Sequence, residues 1–211
     1  MKKIILFCLV INYTIVLGQQ RGIWVTNRAV EKTYDGTVYL FSDWEGQNTV
    51  YDTDNQNFVL QNLNYNILTK MLETKRGKDS LFVLEAKKVN FVDHASKIYR
   101  FYNIRGTREL FQELYVSDNV KFLKGFNTAV KEGVINPLTQ VYLQNEKVYI
   151  EEKYYIKVKS GNFNEFKLKK RSVLKLMGDK GSQIKQYASS EKISYKSEED
   201  LVKIFVYYDT L

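Results

Sequence analysis

Short apolar runs separated by polar turn residues recur from Gly36 to about Leu123, roughly every ten residues. "GTVYLFS" is followed by "NTVYDTDNQNFVLQNL", in which Asp52 to Asn57 form a predicted turn between Val50-Tyr51 and Phe58 to Leu60. Then come "NILTKMLE", "DSLFVLE", "KVNFVD", "KIYRFYN", "ELFQELYV" and "NVKFLKG". Such spacing predicts an antiparallel meander, which must roll up or stack in two layers to bury its apolar face. No heptad or fixed-length repeat accompanies it. Residues 126–148, "FNTAVKEGVINPLTQVYLQNEKV", break the rhythm with the only proline, Pro137, beside Gly133 and Asn136. They predict a long connection, and such loops are either mobile or functional.

Period two returns in "YYIKVKSGNFNEFKLKK": Tyr154, Ile156 and Val158 alternate with Tyr155, Lys157 and Lys159, and Phe166 and Leu168 alternate with Glu165, Lys167 and Lys169. With Ser160-Gly161-Asn162 between them, these runs predict a hairpin with one buried face and outward lysines. After Lys169 the period lengthens. Val173, Leu174 and Met177 suit one short helix, Gly178 and Gly181 interrupt, and Ile184, Tyr187 and Ala188 suit a second that Ser182 is placed to cap. A third begins at Ser197, whose hydroxyl precedes Glu198, Glu199 and Asp200 at the positive dipole end. Leu201, Ile204, Phe205 and Tyr208 fall on one face of that helix, widened by Val202 and Val206, and predict a docked element.

The first residues, "MKKIILFCLVINYTIVLGQQ", have the order of a secretory signal peptide over residues 1–18: basic Lys2 and Lys3, an apolar run from Ile4 to Leu17, and Val16 and Gly18 before a cut at Gln19. The apolar run is diluted by Asn12, Tyr13 and Thr14 and falls short of the roughly twenty residues that a span needs. Cleavage would remove Cys8, the only cysteine. An exported chain without thiols must be stabilised by burial alone. Loss of Lys2 and Lys3 would also lower the formal charge of +8 by two.

Residues 167–188 carry seven basic side chains against one acid, Asp179. They span a strand, a glycine break and two helices, so they make no continuous amphipathic face for a membrane and no recognition motif for nucleic acid. The predicted role is an ordinary solvated surface. Transmembrane β-strands would be longer than these runs, and the chain closes on a helix, which argues against a barrel.

Candidate chemistry is sparse. His94 is the only histidine, and with no mature cysteine the usual imidazole and thiolate metal sites are excluded, as are thiol nucleophiles. "FVDHASK" predicts a turn between strands, where a lone histidine is a surface or capping residue. Asp52, Asp54 and Gln56 mimic the start of a calcium loop, but Asn57 and Leu63 stand where glycine and glutamate belong. "RGKDS", Arg76 to Ser80, lacks the upstream glycine of a phosphate loop. Asp43, Glu45, Glu109, Glu113, Glu151 and Glu152 offer carboxylate pairs for glycoside hydrolysis, yet with 24 acids in the chain such pairs arise by chance. Trp24 and Trp44 are expected to pack at the core or a sheet edge.

The segments "GTVYLFSDWEG", "NVKFLKGFN", "EEKYYIKV", "FKLKKRSVLKLMGDK" and "SEEDLVKIFVYYDTL" resemble a group of exported, uncharacterised proteins of the Bacteroidota. In that group a β-rich region leads through a basic junction into lysine-rich helices, and the chain ends near "EEDL…YY-Asn"; Asp209 stands here where asparagine is frequent. The likeness covers most of the mature chain, and the last 60 residues or so best. The resemblance implies export and fold, and carries over no catalytic residue.

The sequence therefore predicts an α+β domain: a rolled or two-layer antiparallel sheet over residues 19–169, then two or three helices packed on it over residues 170–211. No catalytic, cofactor-binding or metal residue is assigned, and the partner-binding residues stay open. The functional expectation is a non-enzymatic module of the periplasm or cell surface that binds a protein or envelope component. The alternative is a carboxylate-dependent hydrolase of envelope polysaccharide.

Overall fold

The computed structural model describes residues 22–26, 35–75 and 80–211. The leader expected over residues 1–18 and most of the "RGKDS" turn lie outside the described residues, as does the packing of the Trp24 ring. In chain order the strands are β1 (Gly22–Thr26), β2 (Asp35–Gly36), β3 (Gln47–Asp52), β4 (Asn57–Gln61), β5 (Leu63–Asn66), β6 (Met71–Lys75), β7 (Ser80–Leu84) and β8 (Val89–His94). They continue with β9 (Lys97–Ile104), β10 (Thr107–Val116), β11 (Val120–Lys131), β12 (Val134–Ile135), β13 (Tyr142–Gln144), β14 (Lys147–Val158) and β15 (Asn164–Phe166). Helices α1 (Lys170–Met177), α2 (Gly181–Ser190) and α3 (Glu198–Tyr208) follow.

A large sheet runs β15-β14-β11-β10-β9-β8-β3-β4, with β2 parallel to the start of β14, and a small antiparallel sheet runs β1-β7-β6-β5. The β3–β4 turn forms where Asp52 to Asn57 predict it, because the buried Asp52 carboxylate accepts the N–H groups of Asp54 (2.8 Å) and Gln56 (2.9 Å). "NILTKMLE" is not one strand. It folds back at Ile67 to Lys70, where Asn66 Oδ1 accepts the N–H groups of Leu68 (3.1 Å) and Thr69 (3.2 Å), so the pattern conceals the β5–β6 hairpin. The chain thus leaves the large sheet after β4, builds the small one, and returns as β8 to pair with β3.

The inner face of the large sheet is covered twice. At one end Val50, Val92, Tyr99, Phe101 and Phe126 pack with Leu63, Tyr65 and Leu72 of the small sheet. At the other, Val120, Phe122, Ile156 and Phe166 meet Val173, Met177, Ile184, Leu201, Ile204 and Phe205 of the helices. Phe122 and Phe126 lie four residues apart on β11, so period two puts both on this face. The architecture is α+β, with two β-layers and a helical layer.

Ser197 caps α3 by accepting the Asp200 N–H. By contrast α2 starts at Gly181 on the end of a tight turn from Gly178 to Lys180, and Ser182 lies inside the helix with no capping role. Leu201, Ile204 and Phe205 are fully buried, whereas Val206 is exposed. The far end of α3 is tied to β10 by the Tyr115 hydroxyl, which donates to Asp209 Oδ2 at 2.5 Å.

The predicted loop over residues 126–148 is largely strand. β11 and β14 pair residue for residue from Val120↔Val158 to Lys131↔Lys147, and the short β12–β13 ribbon carries the arm further. Pro137 marks only its tip, where Asn136 Oδ1 accepts the N–H groups of Leu138 and Thr139. Ladder hydrogen bonds to β14 set strand here, and they are not visible in local composition.

The outer face is also partly apolar. Tyr155, expected among outward lysines, packs with Phe111 over Leu123 and Ile104. Gly125 makes room for these rings: a Cβ there would lie 2.7 Å from Phe111 Cε1 and 3.0 Å from Tyr155 Cε2. Gly125→Ala is therefore expected to cost about 1–3 kcal/mol, measured by urea denaturation. An unchanged midpoint would mean that the two rings are free to move aside.

Candidate functional site

His94 closes β8, and its ring stacks on Phe41 at 3.9 Å. Its Nδ1 lies 2.7 Å from Asn48 Oδ1. The Asn48 Nδ2 donates to Gly46 O at 3.2 Å, which orients the amide oxygen toward the imidazole and makes Nδ1 the donor. Burial pushes the imidazole pKa below its ordinary value, assisted by Lys97 and opposed by Asp43 and Asp93. The folded state therefore prefers neutral His94, and its contribution to stability is present above pH of about 6.5 and is lost as pH falls toward the folded value. An NMR titration is expected to give a midpoint below the ordinary histidine value; a midpoint above it would refute this packed, neutral role.

The candidate acids are dispersed and mostly engaged. Glu109 pairs with Lys70 at 3.2 Å and Glu151 with Lys153 at 3.3 Å. Glu113 Oε1 accepts from Arg100 Nε (2.7 Å) and the Tyr102 hydroxyl (2.5 Å). Asp43 accepts the Gly46 N–H at 3.3 Å, and Glu45 is exposed. Among the described residues no cluster of three or more His, Cys, Asp or Glu side chains is arranged to hold a metal ion. Asp52 and Asp54 belong to the turn described above. Trp44 packs edge-on to Tyr39 at 4.6 Å, with Lys75 Nζ over its ring at 4.1 Å. Below it the buried Glu73 accepts from the Tyr39 hydroxyl (3.0 Å), Asn66 Nδ2 (3.2 Å) and Thr69 Oγ1 (3.3 Å). Burial and the Glu73 charge push the Tyr39 hydroxyl up to about 12.

One carboxylate pair does converge, and only one of its members was a candidate. Lys124, which points to the inner face between the two cores, places Nζ 2.7 Å from Glu198 Oε1 and 3.5 Å from Glu152 Oε1. The Tyr154 hydroxyl donates to the same Glu198 oxygen at 2.6 Å. Burial, then the Glu198 hydrogen bond and charge, pushes the Tyr154 hydroxyl well above its ordinary range. An ammonium clamped by two carboxylates is a poor base or nucleophile, and a phenol that donates to a carboxylate keeps its proton. This group acts as a strut between the sheet and α3.

Among the described residues, two of the surface clefts have a volume near 500 Å³. One, about 500 Å³, lies along α2 beside Ser182, Lys185, Gln186, Ser189 and Ser190. The other, about 490 Å³, lies between the β9–β10 and β14–β15 turns, lined by Asn103, Arg105, Lys157, Asn162, Phe163 and Asn164 among others. No carboxylate lines either cleft. The basic segment is spread as its sequence implies: Lys167, Lys169, Lys170, Arg171, Lys175 and Lys185 are exposed on different elements, and Lys180 is half-buried.

The β11–β14 arm is the largest departure from a solvated surface. Leu138 is 92 % exposed, Val141 61 % and Leu143 63 %, and Val130, Val134, Ile135 and Tyr149 are exposed beside them. From Val134 to Asn145 the sequence holds no charged residue. No described helix is long and apolar enough to cross a membrane. No family model, curated protein or solved structure matches this chain.

Proposed function

We propose that the protein is an exported, non-enzymatic domain that binds a protein or envelope component through the β11–β14 arm. The observation that carries this reading is the uncharged tip with Leu138, Val141 and Leu143 turned to water. Several exposed aliphatic side chains on one uncharged tip are costly to leave solvated, and an interaction site is a usual reason for them. The leader-like first 18 residues and the resemblance to exported Bacteroidota proteins support placement in the periplasm or at the cell surface. The polysaccharide-hydrolase reading gains no support from these features, because neither of the two clefts is lined by acids and the Glu152–Glu198 pair is bridged by Lys124.

The test is capture from envelope extracts with tagged mature protein, beside a variant carrying Leu138→Ser, Val141→Ser and Leu143→Ser. These side chains are exposed, so the variant is expected to fold normally, and it should lose the specific partner that the native protein retains. Equal capture by both proteins, or no specific capture by the native one, would reject the arm as the binding site.

A further inference from the structure

Two hairpin turns far apart in sequence meet to form the cleft of about 490 Å³ on the outer face. Its volume is that of a small-molecule site. Its walls are mainly polar: Asn103, Asn162 and Asn164 are among the residues that line it, and Asn164 Nδ2 donates to Asn162 O at 3.0 Å. The apolar contribution that matters is the half-buried Phe163 ring, held edge-on by Tyr102 at 5.5 Å. Two cations complete the lining. Lys157 Nζ stands 5.9 Å from the Phe163 ring, and Arg105 comes from the β9–β10 turn. Among the described residues neither Lys157 nor Arg105 forms an ion pair.

We infer that this cleft binds an acidic saccharide, with the Phe163 ring against a sugar face, the asparagine amides on its hydroxyls, and Arg105 and Lys157 on its carboxylate. Each part has a physical reason. Sugar hydroxyls donate and accept together, as amides do, and the C–H face of a pyranose is apolar enough to lie on an aromatic ring. A carboxylate is the matching partner for a guanidinium that has no acid of its own. A neutral apolar ligand would leave the Arg105 guanidinium without an acidic partner. A bare phosphate would use the cations but neither the ring nor most of the amides. This inference does not depend on the arm, which lies on other residues.

Arg105 also permits a clean test. It sits at φ 54° before Gly106 at φ 82°, a two-residue turn in which Asn-Gly is the preferred pair, so Arg105→Asn removes the cation and suits the backbone. Calorimetric titration would use oligomers of galacturonate, of mannuronate and of alternating glucuronate and N-acetylglucosamine, with a neutral cello-oligosaccharide and inorganic phosphate as comparisons. At least one acidic oligomer is expected to bind saturably, more tightly than phosphate or the neutral oligomer. Arg105→Asn and Lys157→Gln are each expected to weaken that binding by roughly tenfold or more, with unchanged melting temperatures. No saturable binding by any acidic oligomer, equal binding of phosphate, or binding that survives both substitutions would overturn the inference.

Discussion

Phe205→Ala is expected to cost about 3–5 kcal/mol and to loosen the helical layer from the sheet. Phe205 has no exposed surface, and its ring lies 5.2 Å from Phe122, 6.4 Å from Tyr115 and 6.5 Å from Phe166. Three strands of the large sheet thus contact one side chain of α3. Truncation leaves a void that cannot collapse easily, since Leu201 and Ile204 on the same helix are also fully buried. Urea denaturation followed by near-ultraviolet circular dichroism would report both the loss of stability and the freed aromatic environment. A cost below about 1 kcal/mol would show that α3 is not docked as described.

Lys124→Met is expected to cost about 2–3 kcal/mol, a value below that of a fully buried pair because the partners are partly solvated. The Lys124 side chain is 12 % exposed and Glu198 28 %, whereas Glu152 is 49 % exposed. Methionine preserves most of the stem, so the change isolates the charge. It leaves the partly buried Glu198 against the Tyr154 hydroxyl with its nearest cation gone. Glu198→Gln should restore part of the loss when combined with Lys124→Met, because the two charges then leave together. Glu152→Gln alone should cost less than about 1 kcal/mol, as an exposed partner is screened by water. Strict additivity of the Lys124 and Glu198 substitutions would show that the strut does not form.

The elements with strong local signals were legible. Ser197 followed by three acids and a run of Leu201, Ile204 and Phe205 specifies a capped, docked helix, and α3 is that helix. The alternation around Ser160-Gly161-Asn162 specifies the β14–β15 hairpin, and Tyr154↔Phe166 and Ile156↔Asn164 are its register. Where the local signal was misleading, the cause was a partner distant in sequence. Residues 126–131 and 147–148 carry glycine-rich, polar neighbours and so resemble loop, yet each finds a ladder partner in the other arm. Period two places Tyr155 with the outward lysines, but the packing of Phe111 over Gly125 gives the outer face an apolar patch of its own.

The candidate sites divide in the same way. The sequence places His94 at the surface or in a cap, whereas in the fold its half-buried ring stacks on Phe41. Lys124 and Tyr154 carried no signal in the sequence, because a lone lysine and one tyrosine among 16 have no distinguishing context until α3 brings Glu198 onto them. The uncharged run from Val134 to Asn145 is the sign of the arm's tip that the sequence carries, beside its turn residues Asn136 and Pro137.

The sequence alone determined the β14–β15 hairpin, the turn at Asp52, the cap at Ser197 and the buried face of α3. These are set by neighbours within a few residues, through side-chain alternation and local hydrogen bonds. Only the tertiary structure decided that β8 returns to β3 around an inserted second sheet, that Lys124 meets Glu198, and that the turns at Arg105 and Phe163 close one cleft. Period and capping say which side of an element is apolar, but not which other apolar side will cover it. That choice is made by burying all of the faces at once.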